Sequence, residues 1–485
     1  MFFNSLSYLI FLPVVAVAHY LMPGKYRWLW LLVCSIFFYY KLSPEYLLLF
    51  LILILLNYLV GLAIDRSETK RGVVLSSGIL ANVITLVFFK YFGLIRPVIE
   101  SIESVSNDGK LLSIILPIGL SYFIFTVISY LIEIKRGTIR AEQHIGIFAS
   151  ALMFFPKIMM GPIEKPGHLL PQFERHKPIN YEMISDGLKQ MLWGYFKKLV
   201  VADRLAIYVN AVFDNYEKHS GITLTMATIL YSFQIYADFS GYTDIALGSA
   251  KTMGFNLTNN FNRPYFSNSV KDFWNRWHIS LSVWLRDYIF LPLSVALAGK
   301  LKKSKYLGIR VDKWIFMIAA LITFAICGVW HGESLNYLIW GLVFGIYLTV
   351  AAWKLDTSKY LRKALHIPKK SLFYRFYSIT VTFVLVSFAW IFFRADTIHD
   401  SIRIIGRIFT NNGASLFMQW ESFFAAAIAL SILLYKEAGE EFFPKRYSLL
   451  TNPSSLIRIA SYACLLAIII LLGVFDNTQF LYFQY

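Results

Sequence analysis

Cysteine is scarce in this 485-residue chain, and charge is thin: three cysteines, and only 15% of residues charged. Cys34, Cys327 and Cys464 all fall in apolar stretches at no paired spacing. That excludes a disulfide framework and a zinc-ribbon or finger, and it assigns all three as small buried hydrophobes. Glycine-rich phosphate loops of either common pattern are missing, so no ATPase or dinucleotide site is expected. Neither a Gly/Ser- or Pro-rich linker nor a tandem repeat divides the sequence, which reads as one membrane domain over 1–485. No basic segment precedes the first apolar stretch and no small-residue cleavage site follows it, so residues 1–22 are expected to remain as a first span.

What the chain has in abundance is long apolar runs. Hydrophobic residues make up 57%, and Tyr46 to Ile64 contains Asn57 as its one strongly polar side chain, long enough to cross the hydrocarbon core as a helix. Further stretches of spanning length lie near 73–96, 111–134, 145–160, 188–213, 222–237, 279–298, 314–330, 335–353, 376–393, 417–435 and 455–475, with shorter ones near 6–22 and 27–40, so about eleven to thirteen membrane segments are expected, some re-entrant or tilted. The formal charge of +17 would suit a nucleic-acid binder only if it formed one face or arm. Instead Lys and Arg sit between apolar spans, in 65–72, 135–140, 300–313 and 354–375, whereas 97–110 carries Glu100, Glu103 and Asp108. No nucleic-acid partner is expected. The preference of basic loops for the cytoplasm then places 65–72, 300–313 and 354–375 on the inner side of a cytoplasmic (inner) membrane and both termini outside it.

Hydropathy divides the domain into conventional spans over 1–135, an irregular core over 145–340, and conventional spans again over 354–485. In the core, apolar segments are interrupted by polar and turn-forming residues, as in FFPKIMMGPIEKPGHLLPQF (154–173) and QIYADFSGYTDIALG (234–248). Broken backbone at membrane depth is tolerated only where it is buried in protein or lines a cavity. The core is therefore expected to enclose something.

Two Trp-His pairs stand out there, Trp277-His278 and Trp330-His331, because an ionisable side chain at bilayer depth is costly and usually functional. Asn275, His278 and Ser282 follow at i, i+3 and i+7, one polar face if the stretch is a continuous helix, with Trp274, Trp277 and Trp284 around it. An interfacial amphipathic helix anchored by tryptophans reads equally well from these residues. His331 falls near the tip of a hairpin whose two ends carry basic loops, on the order of 25 Å from its cytoplasmic entry. The alternative is a core histidine bonded to a neighbouring carbonyl. Cys327, one turn earlier, makes a thiol–imidazole pair formally possible, although a cysteine in an apolar span is usually inert. Neither histidine has another at i+3 or i+4, so no metal site is expected. Asp238 and Asp244, flanking Gly241, read as polar glue within the bundle unless the glycine breaks the helix.

Taken together, SYFIFTVISYLIEIKRG (121–137), FFPKIMMGPIEK (154–165), the 232–265 segment, KDFWNRWHISLSVWLRDYIFLPL (271–293), GVWHG (328–332) and FAWIFFRA (388–395), with LYFQY at the end, resemble the membrane-bound O-acyltransferase family, in its alginate O-acetyltransferase-like bacterial branch. The resemblance implies an all-α polytopic membrane protein, with a ring of helices around a thinned core and a through-membrane tunnel. It implies an acetyl donor, acetyl-CoA, on the cytoplasmic side with no bound cofactor. An exported polysaccharide such as alginate is served outside, by way of an extracytoplasmic acetyltransferase or acceptor protein, and membrane lipid surrounds the whole. His331 takes the family's catalytic position and His278 its second tunnel position. Asn275, Trp274, Trp277, Ser282, Trp330, Asp238 and Tyr242 are the candidate tunnel and substrate residues, and bulk at Gly328 is expected to occlude the tunnel. The chain departs from the branch at Pro292-Leu293-Ser294-Val295, which stays apolar to Ala298 where the branch commonly turns to glycines. D-alanyl transfer for teichoic acid modification is the alternative within the family. A non-catalytic polysaccharide or lipid transporter is the alternative outside it, though the inverted repeat of many transporters is missing.

The charge pattern makes one prediction at once. A single cysteine placed at Ser304, in an otherwise cysteine-free protein, will react with a membrane-impermeant thiol reagent only after the cells are opened; labelling of intact cells would reverse the topology.

Overall fold

The computed structural model describes residues 1–93, 116–174, 178–364, 371–411, 413, 417, 420–444, 450 and 452–475, and of 354–364 and 420–422 the backbone alone. The acidic 97–110 loop, the start of the 111–134 stretch, part of the basic 354–375 loop and the closing LYFQY lie outside these residues. Helices account for nearly all regular structure described; the strands are a two-residue antiparallel pair, Lys305–Tyr306 with Ile309–Arg310, inside the basic 300–313 loop. Seven helices among the described residues are long and apolar enough to cross a membrane: Pro44–Arg66, Arg71–Lys90, Ile279–Lys300, Val311–His331, Leu335–Trp353, Leu372–Arg394 and Ser455–Leu472. The protein is an all-α polytopic membrane protein.

By internal contacts the chain forms two compact units, one of residues 1–194 with 242–259, the other of 195–241 with 260–485. In the first unit, helices Leu47–Arg66 and Arg71–Lys90 form a hairpin whose one buried polar pair is Asn57 with Asn82. Each amide donates to the other's side-chain oxygen, at 3.1 and 2.8 Å, and back to its own helix. Two amides that would each be costly in lipid thus satisfy one another. Residues 145–160 do break as the sequence suggests, into the short helices Ile145–Met153 and Phe155–Ile158.

The second expected break does not occur. Helix Gly221–Thr252 runs through Gly241 without interruption for 32 residues, contributing 221–241 to the second unit and 242–252 to the first. Hydroxyls on either side of the 234–248 stretch turn back onto the helix. Thr228 and Ser232 donate to the carbonyls of Leu224 and Thr228, and Ser249 to that of Ile245, so they are satisfied within the helix itself. The 188–213 stretch is likewise helical but carries a π turn at Phe196–Ala202, between Tyr181–Tyr195 and Asp203–Phe213.

In the second unit, the apolar departure at Pro292–Ala298 has a plain structural reading. Helix Leu291–Lys300 prolongs the span begun at Ile279, with Leu291 and Val295 exposed on its flank. Cys464 corrects an expectation: it is exposed on helix Ser455–Leu472, most of whose surface is uncovered by protein, whereas Cys34 and Cys327 are buried.

Helices Val311–His331 and Leu335–Ala364 make the hairpin that presents His331. Their backbones meet at glycines: a Cβ on Gly328 would lie 2.2 Å from the Tyr337 carbonyl oxygen, and one on Gly341 2.1 Å from that of Phe324. Small residues let membrane helices approach this closely, and dispersion then holds them together. Gly328 therefore faces a helix backbone, so bulk there would part the hairpin before it could occlude a passage. Gly341→Leu is accordingly expected to lower the melting temperature in detergent sharply, by the equivalent of about 1–3 kcal/mol or more. Gly72→Ala, with nothing within 4 Å of its new methyl, should be neutral or slightly stabilising.

Candidate active site

The WNRWH segment is not one helix. Helix Val270–Arg276 stops, Trp277 is extended, His278 takes the left-handed conformation (φ 40°, ψ 56°), and a second helix begins at Ile279. The shared face expected of Asn275, His278 and Ser282 is thereby lost, because the i, i+3, i+7 register does not survive the break. Asn260 replaces the missing helical bonds: its carbonyl accepts the Ile279 amide at 2.9 Å, and its side-chain oxygen accepts the Ser280 amide at 3.1 Å. A left-handed histidine costs on the order of 1–3 kcal/mol, the kind of strain that collects at functional sites. Its imidazole is buried edge-on against Phe239, ring centres 4.8 Å apart.

The same segment is clamped from the side by charge. Glu441 accepts bonds from Arg263 (3.1 Å), Arg276 (3.0 Å) and Arg375 (2.8 Å). Burial opposes the charge on Glu441, but the hydrogen bond and charge of Arg276, with those of Arg263, outweigh it and hold the carboxyl below its usual range. Arg276 is thus anchored two residues before His278.

His331 is the last residue of helix Val311–His331, on the order of 30 Å from that helix's start. It is buried among aromatic rings: Trp330 at 4.8 Å, Trp340 at 5.0 Å and Phe393 at 5.3 Å, all edge-on. The buried Asn336 amide donates to the Ala395 carbonyl at 2.6 Å, which ties the hairpin tip to the end of helix Leu372–Arg394. The two Trp-His motifs are joined by rings in contact, Trp277 to Trp390 (5.1 Å), Trp390 to Trp340 (5.7 Å), and Trp340 to His331.

Beside this aromatic cluster lies a cavity of about 360 Å³. Trp274, Asn275 and Ser282 line it, with Thr323 and Phe324 of the His331 helix, and the exposed Lys271 and Arg286 border it. Neither imidazole is among its lining residues. Of the remaining sequence candidates, Trp277 and Trp330 are packed in the aromatic cluster. Asp238 is held by the buried Lys198, which also binds Asp203, at 2.7 and 2.8 Å. Tyr242 belongs to the first unit, where its hydroxyl accepts the Met160 amide at 3.1 Å and its ring stacks on Phe3. Among the described residues no group of three or more His, Cys, Asp or Glu is placed to hold a metal ion.

Sequence reasoning passed over Lys197 and Lys198, both buried, with Lys197 donating to Ser240 at 2.9 Å. The available signal was two adjacent lysines inside an apolar run. It also passed over Trp340 and Asn260, which have no neighbouring histidine to draw attention to them.

The chain belongs to the membrane-bound O-acyltransferase (MBOAT) family, whose model matches residues 147–354, and that membership makes it an O-acyltransferase. It is 32% identical to the probable alginate O-acetylase AlgI of Pseudomonas syringae pv. tomato, over 84% of this chain and 75% of that protein. Identity is 31% to the peptidoglycan O-acetyltransferase of Helicobacter pylori (86% and 81% of the two chains), and 27% to the teichoic acid D-alanyltransferase of Bacillus subtilis (69% and 81%).

The Lys198 geometry gives Asp238 a structural role that can be measured. Lys198→Ala should cost on the order of 3–5 kcal/mol, because two buried carboxylates lose their counter-charge. Adding Asp238→Asn and Asp203→Asn should recover part of it. Thermal melting reads the stability, and the activity of the folded fraction should recover together with the fold.

Proposed function

We propose that this enzyme moves an acetyl group from a cytoplasmic thioester, acetyl-CoA, to a hydroxyl on the outer side of a cytoplasmic membrane, for O-acetylation of an exported polysaccharide, with an extracytoplasmic protein as acceptor or final transferase. The observation that carries this reading is the arrangement along one helix. The cavity lies against Phe316, Ala320, Thr323 and Phe324, toward the basic 300–313 loop, and His331 ends the same helix about 10 Å further on. A thioester in the cavity would have Lys271 and Arg286 for its phosphates and apolar walls for its pantetheine arm.

His331 is the base in this scheme. Neutral imidazole can accept a proton near pH 7, and a dry aromatic surround strengthens its interactions with charge that develops during transfer. His278 and Asn275 position the reacting groups, with Trp274, Trp277, Ser282 and Trp330 around them, while Asp238 and Tyr242 serve to hold helix Gly221–Thr252, each within its own unit. Identity of 31–32% to two acetyl-transferring relatives over 84% or more of the chain, against 27% over 69% to a D-alanyl-transferring one, favours acetyl. Basic loops inside and both termini outside complete the orientation.

Purified protein in nanodiscs with radiolabelled acetyl-CoA tests the reading through thiol release or acetyl transfer. His331→Ala should reduce turnover by roughly 100- to 10,000-fold and leave melting behaviour intact, and Cys327→Ala should be nearly silent. A lethal cysteine and a mild histidine substitution would instead require a thioester on the enzyme.

A further inference from the structure

Transfer from a thioester to a hydroxyl needs a second group besides a base. As the hydroxyl oxygen attacks, the carbonyl π electrons move onto oxygen, and that oxyanion has to be met by a hydrogen-bond donor already in place. His331, accepting on one ring nitrogen, carries its N–H on the other, directed away from the attacking hydroxyl, so a separate donor is called for.

Trp340 is fully buried, 1% exposed, and its indole N–H has no acceptor within hydrogen-bonding distance among the described residues. A buried donor left unpaired costs about 1–3 kcal/mol, and buried tryptophans usually find a partner. This one is edge-on to His331 at 5.0 Å. Its other neighbours include Trp274 at 5.9 Å and Trp390, stacked at 5.7 Å. Trp274 borders the 360 Å³ cavity, and its own indole N–H also lacks an acceptor. The contacts thus run from the cavity through Trp274 and Trp340 to His331, along a line of otherwise apolar side chains. An acyl carbonyl brought from the cavity to His331 would pass both unpaired donors, and the second lies beside the base.

We propose that Trp340 is a catalytic residue of the acyl transfer, its indole N–H binding the carbonyl oxygen of a thioester and the oxyanion that forms from it, with Trp274 serving the same oxygen or the pantetheine amides on the way in. This rests on the acyl-transfer reading above. In the step, His331 removes the proton of the acceptor hydroxyl while the new C–O bond forms and the C=O electron pair moves to oxygen against the Trp340 N–H. Collapse re-forms the C=O bond and breaks the C–S bond, and the imidazolium returns its proton to the departing thiolate. Ester and free thiol are the products, and the enzyme is unchanged.

The test uses the full-length protein in nanodiscs, acetyl-CoA as donor, and thiol release as readout. Two replacements at position 340 are compared with wild type: Trp340→Phe, and substitution by β-(3-benzothienyl)alanine, which keeps the bicyclic shape and exchanges the N–H for sulfur. Both are expected to lower kcat roughly 100- to 1000-fold, with KM for acetyl-CoA and the melting temperature of the benzothienyl protein little changed, the pattern of an interaction made in the transition state. If the benzothienyl protein turns over like wild type, Trp340 acts through its shape alone; the N–H role is then overturned and the acyl-transfer reading stands. If wild type and His331→Ala are equally unable to release thiol from acetyl-CoA, that reading falls, and this inference falls with it.

Discussion

A membrane interior offers no water to an unpaired amide, so backbone that leaves the helix there has to be answered from within the protein. The break at Trp277-His278, buried within the protein, is answered in this way. Asn260 answers it twice, with main chain and side chain, and Asn262 donates its amide to the Arg276 carbonyl. The 260–263 segment is in effect the missing turn of helix, supplied from elsewhere in the chain. That is why Arg263 and His278, the two left-handed residues nearest the break, occur in stretches bonded to each other, and why Arg263 and Arg276 converge on one carboxylate.

Much of this was legible beforehand, and the parts that were not share a cause. Apolar length revealed the spans at Pro44–Arg66, Val311–His331 and Leu372–Arg394, and the basic loops framed the hairpin that ends in His331. Those signals are local and additive. Whether a polar stretch breaks a helix is decided by what its side chains can bond. FFPKIMMGPIEK broke and QIYADFSGYTDIALG did not: the polar side chains of the latter are met by partners from another helix, Ser240 by Lys197 and Asp238 by Lys198. The register expected for Asn275, His278 and Ser282 failed for a complementary reason: the hydrogen-bond partners that stabilise the break come from residues 260–262, outside any window in which periodicity could be read. Cys464 was misread because exposure to lipid and burial in protein select the same apolar residues.

Aromatic packing fixes the surroundings of both histidines. Trp277, Trp340, Trp390 and Phe393 touch ring to ring and bury large areas at little cost in side-chain entropy, since each has only two rotatable side-chain bonds. A site walled by such rings can hold an imidazole in one orientation by packing. Asn336, bonded to Ala395, extends the same rigidity to the hairpin tip.

The π turn at Phe196–Ala202 makes a different kind of demand. It fits an additional residue into one turn, so adjacent side chains fan out over a narrower angle, and Lys197 and Lys198 both reach the same stretch of helix Gly221–Thr252, one meeting Ser240 and the other Asp238. What matters here is helical phase as well as charge. Evolution can exchange side chains in this segment one at a time, but an insertion or deletion of a single residue would rotate an ammonium group out of its partner's reach, so the length of the segment is under tighter constraint than its composition.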